Sequence, residues 1–435
     1  MRGDLAWQYF VEAAEVAAAS DEIPDLRTAH LFAIACDQAL RWPGTMNVLV
    51  PEAEVRARRD RGLALAGPGD SPERANLLAI SASWPFAYPE SSPGAIDDYA
   101  ARGLEAVDIA MRLGDANLAS GCLDAASSAY CAVGDYRRAM HLFRRRWELR
   151  DRITYDLEVV DLHAMGAWIS WETGDYPGAV RYGEAIEDWN RHPSTVHAQA
   201  WRIAALFRLG RWDEALAAFG RALDVLGNLR DSPANAVTHM YAIAALVQDL
   251  RDERRDIGNA STVVAAVPEH APRIYPWRIR LALQRGELDR ARAQLEAPPP
   301  SWMVHAGIVW EVRCEDVLAR GEWDRGDQVA ASAREHADAC GAPAVVPAAQ
   351  RLEGAVAVAG GDTEGGIERL AAARDAFEDL GMVWEAARTR RLLAVAYDRS
   401  GRPDDAAAEA AAAKVPLDVL GVVNDRVLDA ALAAL

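Results

Sequence analysis

Several things are scarce in this chain, and each scarcity excludes a class of protein. Lys414 is the only lysine, so almost all of the 47 basic residues are arginine. That bias reads as the codon usage of a GC-rich genome. The five cysteines (Cys36, Cys122, Cys131, Cys314 and Cys340) stand at isolated positions without a CxxC pair. The spacing supports neither a zinc-ligand pattern nor a disulfide framework, and it suits reduced thiols in a cytoplasm. No uncharged apolar run reaches the length of a membrane-spanning helix. The first twenty residues carry Asp4, Glu12 and Glu15 inside their apolar stretch, unlike a signal peptide. Basic charge is in deficit as well: the net charge is −18 and the sequence pI about 5.0, which argues against a nucleic-acid grip. Strands that alternate polar and apolar residues are missing, and alanine is abundant, so the composition points to an all-helical protein. No GxxxxGK[ST] phosphate loop, HExxH, GxSxG or Cys/His nucleophile pattern occurs, so no catalytic residue, cofactor or metal is expected.

What the chain does have is a repeated hairpin, clearest at residues 196–227. Ala215, Leu216, Phe219, Ala222, Leu223 and Leu226 recur on one helical face. Trp201, Ala205 and Leu209 form the facing stripe on the helix before it, and Gly210 makes the turn. One such hairpin cannot bury both apolar faces and needs copies on either side. The turn recurs at Gly134, Gly174, Gly210, Gly286, Gly321, Gly361 and Gly401, at intervals of 40, 36, 76, 35, 40 and 40 residues. The interval of 76 is close to twice the others, so one copy has lost its glycine near residues 249–256. Five residues after each glycine stands a small residue: Ala139, Ala179, Ala215, Ala291, Gly326, Gly366 and Ala406. Glycine ends the first helix with positive φ, and the small residue lets the second helix lie close on it.

Before this regular region, helices are expected over 4–19, 24–42, 51–66 and 72–83. The segment WPFAYPESSPG at 84–94 is the sharpest break in pattern. The chain therefore divides into degenerate helical repeats over 1–94 and one continuous regular solenoid over 95–435. Further loop signals stand at HPS (192–194), RDSP (230–233) and EAPPPS (296–301), and a last helix over 422–434 is placed to cap the stack. The expected fold is a right-handed superhelical solenoid of antiparallel helix hairpins.

The turns GDY and GRW followed by a small residue resemble the tetratricopeptide repeat. The glycines above match its turn, Tyr136, Tyr176, Trp212 and Trp323 its aromatic position, and the alanines its small-residue position. The present repeats run longer than the 34 residues of that motif. The segments at 41–78, 82–90, 134–153, 295–307 and 381–402 also resemble the C-terminal helical region of actinobacterial-type signalling proteins. Those proteins carry a nucleotide cyclase or DNA-binding domain and an ATPase ahead of such repeats. The resemblance implies a repeat module, freestanding or cut from a larger protein, and carries over no catalysis.

Smaller constellations have plain readings. His336 and Cys340 share a helical face but lack a second ligand pair. Asp97-Asp98 lacks the third acid that a helical metal-binding motif needs, and Asn259-Ala260-Ser261 is a glycosylation triplet by letters alone. Arg137, Arg138, Arg144, Arg145, Arg146 and Arg150 make a basic cluster, read as a solvated outer face over inward Ala139, Leu142, Phe143 and Trp147, or else as a site for an acidic partner. First helices line the inner surface of a curved stack. Trp168, Trp171, His197, Arg280, Glu311, Glu315, Arg351, Arg388 and Arg391 are therefore the candidates for a binding groove.

The functional expectation is a non-enzymatic, cytoplasmic scaffold in signalling or regulation. It would hold a protein or peptide in its concave groove, without nucleic acid or membrane. The alternatives are a sensor of a small effector and, more remotely, a helical-toroid glycosidase with two carboxylates facing one cavity. The close contact inferred at Ala215 is directly testable. Ala215→Leu should overpack the hairpin and cost about 1–3 kcal/mol, read as a lower melting temperature. An unchanged melting curve would refute the contact.

Overall fold

A computed structural model describes residues 3–46, 48–89, 92, 95–187, 194–227, 230, 235–253, 256–267, 273–299 and 305–435. Parts of the breaks at 84–94, 192–194, 230–233 and 296–301 lie outside these residues. Among the described residues the chain is all-α, with twenty-three α-helices and no strand. It packs as two compact units, the first mainly from residues 1–169 and the second mainly from residues 170–435.

The first unit contains α1 (Gly3–Ala18), α2 (Asp25–Leu40), α3 (Glu52–Ala66), α4 (Pro72–Ala82), α5 (Trp84–Ala87), α6 (Ile96–Arg112), α7 (Ala116–Cys131), α8 (Tyr136–Trp147) and most of α9 (Asp156–Glu172). Helices on both sides of the Pro-rich segment pack together here, α4 lying against α6 and α7. The Ser71 hydroxyl caps α4 by accepting from the Arg74 N–H at 3.1 Å. Asp115 and Asp135 cap α7 and α8 in the same way.

The second unit is a run of hairpins: α10 (Tyr176–Ala185) after α9, then α11 (Thr195–Arg208) with α12 (Trp212–Leu226), α13 (His239–Leu250) with α14 (Ala260–Ala266), and α15 (Tyr275–Arg285) with α16 (Leu288–Glu296). It continues through α17 (Gly307–Arg320) with α18 (Trp323–Cys340), α19 (Val345–Ala359) with α20 (Thr363–Asp379), and α21 (Val383–Arg399) with α22 (Pro403–Leu420). The last helix, α23 (Arg426–Ala434), packs against α15, α17 and α21.

The turn works as the spacing implies. Gly210 takes φ +70°, and the N–H of Arg211 closes on the Leu206 carbonyl at 2.9 Å. The copy without glycine is found at Asp252. It adopts φ +54°, and the Glu253 N–H closes on the Gln248 carbonyl at the same 2.9 Å. Aspartate tolerates this left-handed region better than most side chains. Downstream of it the spacing changes. Ile257 occupies the small-residue position, the chain kinks through Gly258 and Asn259, and Ala260 at the start of α14 is buried. At Gly366 the helices approach more closely than alanine permits, since a Cβ there would lie 2.4 Å from Val358 Cγ2.

The second unit closes on itself. The first helices of successive hairpins pack side by side, and the turns meet hairpins several repeats further along the chain. A Cβ on Gly174 would meet Pro343, and one on Gly210 would meet Val383 at 3.0 Å. The Leu250 carbonyl accepts from the N–H groups of Val423 and Asn424 at 2.8 and 3.0 Å. Arg251 Nε donates to the Leu420 carbonyl at 2.8 Å.

The turn at Asp252 yields a prediction. Asp252→Gly should remove the left-handed strain and stabilise the chain by about 1 kcal/mol, seen as a higher melting temperature. A lower one would mean that the carboxylate itself holds the turn.

Candidate functional site

The arginines and glutamates expected in a groove face one another inside the second unit. Glu311 and Glu315 stand one turn apart on α17. The Arg208 guanidinium, at the end of α11, forks onto Glu311 with Nη1 and Nη2 at 2.6 and 2.7 Å. Arg280, on α15, forks onto Glu315 at 2.9 and 3.0 Å and lies 3.5 Å from Glu385. Arg351, on α19, donates to Glu385 at 2.6 Å. Arg388, on α21, donates to Glu315 at 2.8 Å and to Glu385 at 3.1 Å, and its Nε lies 3.1 Å from Asp425, the residue that caps α23. Four guanidiniums therefore meet four carboxylates, and all eight groups are buried.

Aromatic rings wall this cluster. Arg388 lies 4.5 Å over the Trp384 ring, Arg280 5.7 Å over Trp277, and Arg208 5.4 Å over Trp171. The electrostatics follow. Burial works to raise the Glu315 carboxyl, but Arg280 and Arg388 outweigh it and hold the group below its ordinary range. Glu385 is held down in the same way by Arg351 and Arg388, whereas burial leaves Asp425 raised.

These positions correct the groove expectation. Arg280, Glu311, Glu315, Arg351 and Arg388 do lie on one inner face, as first helices should, but that face is packed and not open to a ligand. The coil is wound tightly enough that each charge finds its partner across the interior. Trp168 and Trp171 are also buried, and they enter different units. Trp168 stands edge-on to Tyr136 at 6.0 Å in the first, and Trp171 lies 5.4 Å from Trp201 and 6.4 Å from Trp277 in the second. His197 and Arg391 are half-buried.

A second network, which the sequence reading does not single out, lies in the first unit. Arg146 is 1% exposed and not part of a solvated face. It donates to Ser120 at 2.9 Å, Asp124 at 2.9 Å, Glu158 at 3.0 Å and Asp161 at 2.7 Å. Arg41, just past α2, reaches the same three acids at 2.7, 2.7 and 3.0 Å. Burial opposes the charge of Glu158, yet Arg41 and Arg146 hold it down to about 2. Burial and then the Asp124 charge push Asp161 up to about 6.

The smaller constellations are placed as follows. Cys340 lies 3.9 Å from His336 Nδ1 and 4.0 Å from His305 Nδ1. Burial, with His305 nearby, pushes His336 down to about 4, so both rings are neutral near pH 7. Among the described residues no group of three His, Cys, Asp or Glu side chains is arranged to hold a metal ion. Burial raises the thiols of Cys36 and Cys314 to about 12. Asp97 is an exposed residue in the first turn of α6, paired with Arg138. No described helix is long and apolar enough to cross a membrane.

Residues 165–235 match the family model of the tetratricopeptide repeat, a span that includes the hairpin of α11 and α12. No curated protein matches the chain. The described residues form an all-α helical repeat, and the match supports a tetratricopeptide-type repeat over the span that it covers.

The first-unit network predicts a pH dependence. Because the folded pKa of Asp161 is raised above its ordinary 3.8 to about 6, the folded state takes up this proton at higher pH than the unfolded state does. Acidification through pH 6 therefore favours folding through this group. Asp161→Asn removes the effect, so the melting temperature of the wild type relative to that of the variant should rise between pH 7 and pH 5. A constant or shrinking difference would contradict the raised pKa.

Proposed function

We propose that this tetratricopeptide-type repeat protein is a non-enzymatic interaction module. It serves a signalling or regulatory assembly and binds a protein partner through its outward surfaces. The observation that carries the reading is the pairing of the buried charges. A general acid, base or nucleophile needs a group that can change charge beside a substrate. Here the eight ionisable groups of the buried cluster in the second unit are spent on one another. The buried thiols of Cys36 and Cys314 are pushed away from the reactive thiolate form. The repeat type supports the same reading, since stacked helical hairpins expose extended surfaces suited to proteins and peptides. Because the inner face of the second unit is filled, recognition falls to the outer helices and the edges of the stack and not to the groove residues.

Affinity capture from a lysate of the source cells, followed by reconstitution of each captured protein with the purified chain, tests the proposal. The expected result is a saturable complex of fixed stoichiometry. Failure of every captured protein to reconstitute, or conversion of a small molecule by the pure chain, would overturn it.

A further inference from the structure

We infer that the outer face of α8 is the docking surface for an acidic segment of a protein partner. The inference rests on the interaction-module reading and adds the chemistry of the partner. Arg137, His141, Arg144 and Arg145 are all exposed and lie at i, i+4, i+7 and i+8, which places them on one face of the helix. The stripe is about 12 Å long at 1.5 Å per residue. The other arginines of the same cluster are already engaged. Arg138 is held by Asp135 at 2.6 Å and by Asp97, Arg146 is inside the first unit, and Arg150 pairs with Asp151 at 3.3 Å. Among the described residues no carboxylate pairs with Arg137, Arg144 or Arg145.

The contrast with the rest of the stack is sharp. The outer helices α10, α12, α16, α18, α20 and α22 each carry at least one carboxylate and α14 carries no charged residue, whereas α8 carries arginines and no carboxylate between Tyr136 and Trp147. Among the described residues, a chain with net charge −18 thus holds on α8 a short cationic stripe whose arginines have no carboxylate partner. Like charges on one face repel, and a row of carboxylates from a partner relieves that repulsion.

The chemistry favours a peptide over other polyanions. A membrane-binding helix turns an apolar face outward. In α8 the apolar residues Ala139, Leu142 and Phe143 are buried. A nucleic acid needs a broad basic surface, and the remaining charge of this chain is acidic. An acidic run of a few residues matches the length and the charge of the stripe.

The test is titration of a fluorescent octaglutamate peptide with the full chain at low and physiological salt. Phosphatidylcholine vesicles containing phosphatidylserine, and a short DNA duplex, serve as parallel probes. The expected result is salt-sensitive peptide binding that Arg137→Glu/Arg144→Glu/Arg145→Glu weakens by about tenfold or more, with an unchanged melting curve. If that variant does not fold, Arg144→Gln/Arg145→Gln reports the same loss in smaller measure. Equal peptide binding by wild type and variants, or tighter binding of vesicles or duplex than of peptide, would overturn the inference. A reconstituted partner that binds the variants as well as the wild type would overturn it too, while leaving the interaction-module reading intact.

Discussion

Taking a guanidinium or a carboxylate out of water costs several kcal/mol per ion, and only close, well-directed partners offset it. The interior of the second unit is organised by that constraint. Arg208, Arg280, Arg351 and Arg388 come from four different hairpins, and each is deep enough to require a carboxylate. Glu311, Glu315, Glu385 and Asp425 meet them from α17, α21 and the cap of α23. A slip of one turn in any of these helices would leave a charge buried and unpaired. The network therefore selects one register of the hairpins among the many that apolar alanine-rich faces alone would accept. Arg41 and Arg146 do the same for α2, α7, α8 and α9 in the first unit.

The hairpins themselves were legible from local chemistry. A glycine followed five residues later by a small residue is a statement about one turn and one contact, and both are short-range. The helix expected over 51–66 spans Glu52–Ala66, and the copy without glycine is found within the interval that the spacing marks. The inward set on the first helices was legible too, since Arg280, Glu311, Glu315, Arg351 and Arg388 do share an interior. Its character was not. Whether an inner face holds a groove or a packed core depends on how tightly the hairpins wind. That winding is set by pairs such as Arg208 and Glu311, more than a hundred residues apart. Arg146 shows a different failure. Its spacing from Ala139, Leu142 and Phe143 places it on the buried stripe of α8, but its charge groups it with its exposed neighbours.

The same balance of charges bears on function. With the inner carboxylates and guanidiniums neutralised by one another, the interior offers little for a ligand to compete for. What distinguishes one part of the surface from another is then its residual, unpaired charge. On α8 that charge has the opposite sign to the chain as a whole.

The contacts between Leu250 and the Val423–Asn424 segment have a kinetic consequence. In a repeat array whose units touch only their neighbours, folding can nucleate anywhere and spread one hairpin at a time. Here a carbonyl at the end of α13 finds its donors only after four further hairpins have formed and wound back to it. Contacts of such high sequence separation slow folding, because the entropy of closing the intervening chain comes before their reward. The closed coil thus trades the rapid, modular folding of an open repeat array for a single cooperative body. Deleting or inserting one hairpin would shift every later contact out of phase.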